Sequence, residues 1–358
     1  MSLLWQTLGI SIIVVAFVDV YLTVLYPRTG KSVLSLRLSK LLWRIFRWVS
    51  RVTNSKSMLT YCGPTSLVVI ALLWICLFTL GFALLLWHAL GDGIQASSGE
   101  TPTDFATALY YSGFTLTTLG VGDLVPKTNW WRLVTIIEAA VGFSVFTATL
   151  TYLLSVYNSL TRRNVFALSL CHRSGCKANA ADLLSGFQGL GKFELATQDI
   201  SSIARDLLFM LESHHAYPVL HYFRFKAPHY SLARIALVSL DLAALIKTAL
   251  HTSAYQSLFG SAAVKELDNG GLNLLYQLSD SFLSSEQEVD LTTKAEWRRW
   301  YFEAIDILRE HGIETVPDRE TGADNYVIER DRWNKKVSAF AKYMDFSWEE
   351  VAPAERKR

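Results

Sequence analysis

Acidic residues are missing from one long stretch of this chain. No Asp or Glu falls between Asp19 and Asp92, while Lys and Arg recur through residues 28 to 56. The formal net charge of +2 over 358 residues therefore hides a basic segment and a nearly balanced remainder. Cysteine is scarce, at four residues. Cys62 lies at the edge of an apolar run and Cys76 inside one. Cys171 and Cys176 fall in a half expected in the cytosol, where disulfides are rare, so no disulfide framework is expected. Alternating strand patterns are almost absent after residue 164. Their absence excludes a β-rich cyclic-nucleotide module and a Rossmann-like domain, which needs a strand before its glycine-rich turn. Gly186, Gly189 and Gly191 lie close together, but no strand precedes them. No Ser-His-Asp or paired-carboxylate arrangement stands out, so no enzyme is expected. The N-terminus lacks a basic region and a clear cleavage site, so no secretory signal peptide is expected.

What is present is long apolar runs. Leu3 to Leu25 is long enough to span a ~30 Å core, with Trp5 and Tyr26 placed for its two interfaces. Asp19 lies inside it. An acid there either has a function or sits near the cytoplasmic end and pairs with Arg28 or another base. Arg37, Lys40, Arg44, Arg47 and Arg51 follow at helical spacing and form one stripe. They suit a helix lying in the membrane interface, its bases near anionic lipid heads and Trp43 and Phe46 adding bulk there. A voltage-sensing helix is the sharper reading, but no partner helices with acidic countercharges accompany it. Ser66 to Leu90 is a second span. Positive-inside placement of the basic segment puts the N-terminus outside and makes residues 91–103 an outer loop. Asp104 to Thr117 reads as a short helix capped by Thr103 or Asp104. Asn129 to Tyr157 is a third span, with Trp130 and Trp131 as an interfacial belt, and Thr161-Arg-Arg closes it.

Between the last two helices lies TLTTLGVGDLVP, Thr115 to Pro126. Gly120 and Gly122 can take φ > 0 without a Cβ clash. Alternating handedness would point successive carbonyls into a shared axis, where a ring of carbonyls can replace a cation's water shell. Irregular backbone at this depth must be buried or line a wet path. The string Thr117-Thr-Leu-Gly-Val-Gly-Asp123 resembles the filter of tetrameric potassium channels, usually T-T-V-G-Y-G-D, with Leu119 for Val and Val121 for Tyr. The resemblance covers about Ser66 to Thr161.

That resemblance implies a pore-loop fold of outer helix, pore helix, filter and inner helix. It implies a homotetramer and K+ as the permeant ion, held at Thr118, Leu119, Gly120, Val121 and Gly122. Thr117, Asp123, Tyr110 and Tyr111 would support the filter, the tyrosines packing behind it. Gly142 falls where the family bends its inner helix, although glycine also serves close packing. Glu138, one turn before, either forms a fourfold acidic ring below the filter or hydrogen-bonds the pore helix at Ser112 or Thr115.

The expected architecture is an all-α membrane protein: an N-terminal span (1–30), a basic interfacial helix (31–62), a pore domain (63–164) and an all-α cytoplasmic domain (165–358). Helical periodicity in the last recurs at 181–190, 196–213, 230–251, 272–284, 290–311 and 326–344. Histidines 214, 215, 221 and 229 form either a packed connection or a metal- or proton-sensing cluster. The expected setting is the inner membrane. The expected partners are further copies and anionic lipid, with no nucleic acid and no organic cofactor. Weak cation selectivity and a non-conducting sensor stand as alternatives.

Overall fold

The computed structural model describes residues 2–26, 32–187, 196–283 and 294–353. The chain divides into two compact units. The first comprises Met1–Trp48, Tyr61–Tyr157 and Ala216–Tyr222. The second comprises Val49–Thr60, Asn158–His215 and Phe223–Arg358. Among the described residues three helical stretches are long and apolar enough to cross a membrane: Leu3–Leu25, Lys56–Ala89 and Asn129–Arg173.

In the first unit, α1 (Ser2–Val20) runs on into a π-turn at Tyr21–Leu25. It packs antiparallel to α3 (Cys62–Leu86), because Trp5 meets Trp87 at 5.8 Å while Phe17 meets Phe78 at 4.9 Å. Glycines permit the close crossing. A Cβ on Gly9 would stand 2.6 Å from the Gly81 carbonyl oxygen, and one on Gly81 would stand 2.7 Å from Ile13. This pair carried no periodic signal in the sequence. The basic helix is α2 (Ser35–Val52). Its Trp43, expected near headgroups, is instead buried in protein beside Tyr222, with ring centroids 6.0 Å apart. The reason is its place on the same face as Ser35, Ser39 and Ser50, which pack inward.

The helix expected to lead into the loop is α4 (Phe105–Leu116), capped by Asp104, whose carboxylate accepts from the Thr107 N–H at 3.0 Å. The outer loop is not wholly irregular. Strand β1 (Ile94–Ala96) pairs antiparallel with β2 (Leu124–Pro126), and Ser97 N–H and Lys127 N–H extend the ladder to the Asp123 and Gly93 carbonyls. The inner helix α5 (Asn129–Arg173) continues past the expected end at Tyr157 without interruption.

The second unit is helical, built around α8 (Leu232–Ala249), which is buried on nearly all sides and capped by Ser231. Asp241, one of the charges that marked this segment as a soluble core helix, accepts from Trp300 Nε1 at 3.2 Å and from the Tyr326 hydroxyl, with Arg330 at 3.9 Å. α6 spans only Ala180–Ser185, and α7 covers Ala196–Ala216. A one-turn α9 (Gln256–Phe259) precedes α10 (Ala262–Phe282), which starts ten residues before the expected 272. The glycine pair that blurred its pattern serves packing, since a Cβ on Gly271 would meet Leu240 at 2.8 Å. α11 runs Lys294–Glu310. The helix expected at 326–344 is two: α12 (Arg319–Asp331), capped by Asp318, and α13 (Asn334–Tyr343), with a short α14 (Trp348–Val351) after them.

Cys171 and Cys176 correct the cysteine expectation: they are disulfide-bonded. The chain turns back after α5 with left-handed backbone at Gly175, and the two Cα atoms lie 4.0 Å apart. Among the described residues no three His, Cys, Asp or Glu side chains assemble as a metal-binding group. His214 and His221 are buried.

Candidate functional site

The loop after α4 has the backbone that its glycines allow. Thr118, Gly120 and Gly122 have φ of +57°, +58° and +82°, so every second residue is left-handed. For glycine this costs little, but for β-branched Thr118 it is a strained conformation, which persists only where its surroundings enforce it. The enforcement comes from the helix end. Thr118 N–H donates to the Thr115 carbonyl at 3.0 Å, and Leu119 N–H to the Phe114 carbonyl at 2.9 Å. The amides thus turn back toward α4. In such an alternating run successive carbonyls project to one side. The side chains between the left-handed residues are only partly covered within the chain: Leu119 is 71% exposed and Val121 is 49% exposed.

The far end of the loop is anchored. Asp123 accepts from its neighbour's amide, Leu124 N–H, at 2.9 Å, and the Tyr110 hydroxyl faces its carboxylate. Its carbonyl accepts from Ser97 N–H at 2.7 Å. Arg132 Nε donates to the Pro126 carbonyl at 3.3 Å. The two tyrosines therefore differ. Tyr110 reaches Asp123 from a half-exposed position. Tyr111 is buried and meets Thr135 Oγ1 of α5 at 2.8 Å. Thr135 spends its own proton on the Trp131 carbonyl, so Tyr111 is the donor.

Glu138 does not sit in open space below the loop. It is 0% exposed within the single chain, so it is covered before any assembly. Its Oε1 lies 2.5 Å from Ser112 Oγ, which is also 3.0 Å from the Thr79 carbonyl. Three helices thus meet at one hydroxyl behind the pore helix. Its Oε2 has no partner among the described residues. The geometry is that of the pore-helix hydrogen bond, not of an acidic ring lining a cavity. Gly142 is a contact glycine: a Cβ there would fall 1.8 Å from the Leu116 carbonyl oxygen. α5 runs through it unbroken. Thr117 closes α4, its hydroxyl donating to the Gly113 carbonyl at 2.8 Å.

Asp19 is 1% exposed and is not paired with a base among the described residues; Arg28 lies outside them. Its Oδ1 accepts Leu34 N–H at 2.8 Å and Ser35 N–H at 3.3 Å. Its Oδ2 accepts the Ser35 hydroxyl at 2.5 Å and Trp74 Nε1 at 2.9 Å. A carboxylate from one helix thereby caps the N-terminus of another, where unpaired amides and the helix dipole favour negative charge. These donors engage both oxygens, and the pairing expected with Arg28 falls outside the described residues. On α2, Arg37, Arg44 and Arg51 are exposed, and Lys40 and Arg47 are partly covered. A second exposed row, Leu41, Ile45, Trp48 and Val52, lies beside them.

Residues 67–159 match the family described as "Ion channel". The chain is similar to the uncharacterized membrane protein YdjJ of Bacillus subtilis (strain 168), 28% identical over 241 residues, which cover 66% of this chain and 68% of that protein. No solved structure matches. The residues that resemble that family contain α4, the alternating loop and the apolar first part of α5, so the similarity falls on the site just described.

Proposed function

We propose that the chain assembles as a homotetrameric cation channel that conducts K+ through the loop Thr118 to Gly122. The observation that carries this reading is the left-handed backbone at every second residue of that loop. One chain supplies one row of carbonyls, and four rows around an axis make a coordination cage. The exposure of Leu119 and Val121 within one chain fits side chains that neighbouring copies cover. K+ is the permeant ion, held by the carbonyls of Thr118, Leu119, Gly120 and Val121 and by the Thr118 hydroxyl. Thr117, Tyr110, Tyr111 and Asp123 support the loop, and Glu138 and Gly142 fix the inner helix to the pore helix. The five bases of α2 lie against anionic lipid on the cytoplasmic side, the N-terminus is outside, and the helical second unit regulates from the cytoplasm in the inner membrane.

A weakly selective channel is the second reading, and Val121 favours it. The family's tyrosine at that point carries a hydroxyl for bracing, whereas valine has none. Reversal potentials with K+ on one side of a planar bilayer and Na+ on the other separate the two. A shift toward the K+ equilibrium potential supports the first reading, and a reversal near zero the second. Absence of cation current from verified tetramers removes both.

A further inference from the structure

A small cavity with several hydroxyls in a mainly apolar wall lies inside the first unit, away from the filter. Its volume is about 20 Å3, and the hydroxyl-bearing residues Thr23, Ser32, Ser35, Ser39 and Tyr152 line it, with aliphatic side chains completing the wall. A space of that size holds one water-sized particle. Two of its hydroxyls have already committed their protons. Ser35 donates to Asp19, and Ser39 donates to the Ser35 carbonyl at 2.9 Å. Toward the cavity each can offer only lone pairs.

Thr23 is the third element. Ser11, Ser39 and Thr147 each donate to the carbonyl four residues earlier on their helices. Thr23 lies inside the π-turn, where Tyr26 N–H reaches back to the Tyr21 carbonyl at 2.9 Å. Thr23 is 7% exposed, borders the cavity, and its hydroxyl has no partner among the described residues. A π-turn within a helix often marks a functional site. Next to this oxygen-rich space lies the buried Asp19 carboxylate, which no base neutralises among the described residues. A water molecule brings two protons and two lone pairs. A cation asks only for lone pairs and also offsets the buried charge, whose desolvation is otherwise costly.

We propose that this cavity binds one dehydrated alkali-metal cation, coordinated by the hydroxyls of Thr23, Ser35 and Ser39, with Asp19 as the countercharge behind Ser35. Hard oxygen donors without nitrogen or sulfur suit such an ion. The site is independent of the filter and survives if the filter reading fails.

Crystals of the full chain grown in rubidium chloride test it. The expected result is an anomalous difference peak among Thr23, Ser35 and Ser39, separate from any peak in the loop. Thr23→Val, nearly isosteric and breaking no hydrogen bond, should remove that peak and leave the others. Density without anomalous signal identifies a water and overturns the proposal, as does an empty cavity. A second measurement uses the Gly120→Ala background, in which the loop is disabled. Sodium or potassium chloride should raise the thermal midpoint by about 2–4 °C over N-methylglucamine chloride, and Thr23→Val should abolish the rise. The sodium and potassium arms identify the preferred ion. Equal midpoints in all three salts overturn the proposal.

Discussion

Single hydrogen bonds hold the loop at its two ends, and they define what point changes should do. Tyr110 faces Asp123 from a half-exposed position, so Tyr110→Phe removes a brace without opening the core. Without that hydroxyl beside Asp123, selectivity for K+ over Na+ should fall while expression holds. Bi-ionic reversal potentials read that change. Glu138 presents a different case. Its carboxylate is fully buried and joined to Ser112, which also bonds the Thr79 carbonyl. Glu138→Ala should lower the stability of the assembled protein by about 1–3 kcal/mol, and Glu138→Gln, which keeps an acceptor for Ser112, by less. Thermal unfolding in detergent ranks the three proteins.

Helix contacts carry the same argument one level up. Ala favours a helix interior over Gly by about 1 kcal/mol, so propensity alone makes Gly142→Ala stabilising. The Leu116 carbonyl reverses that sign, because the added methyl would overlap it. Overpacking costs about 1–3 kcal/mol, so the variant should unfold at lower temperature and pass less current. A flexible bend at Gly142 would instead leave the unfolding midpoint unchanged or raised. The elements also explain what the sequence could and could not disclose. The spans, the pore helix and the glycines of the loop were legible because length, apolarity and φ tolerance are local properties. Gly9 against Gly81, Gly271 against Leu240, and Asp19 across the start of α2 were not, because each is a contact between distant segments with no periodic trace. The disulfide was hidden for a related reason: it depends on a turn after α5, left-handed at Gly175, that no spacing rule announces.

At the scale of the whole molecule, two compact units fold in one chain. The helical unit carries its own pH sensitivity. Burial, with the nearby Arg163 charge adding to it, holds the His214 ring down to about 3 from its ordinary 6.5. Between those values the unfolded chain binds a proton that the folded chain refuses, so stability rises with pH. The contribution is intact above about 6.5 and is lost as pH falls toward about 3, by up to about 1.4 kcal/mol per pH unit. Tryptophan fluorescence during denaturant unfolding at pH 7 and pH 5 should show this loss, and His214→Leu should flatten it.

The central claim is that cations pass through the alternating backbone of Thr118 to Gly122. Proteoliposomes loaded with K+ and diluted into K+-free buffer test it most directly. The wild-type tetramer should release K+ once valinomycin-free charge balance is supplied by a protonophore. Gly120→Ala should not, because a Cβ meets no neighbour at that position and acts only through the φ of +58°. Equal K+ release from the two tetramers, or none from the wild type, would contradict the account.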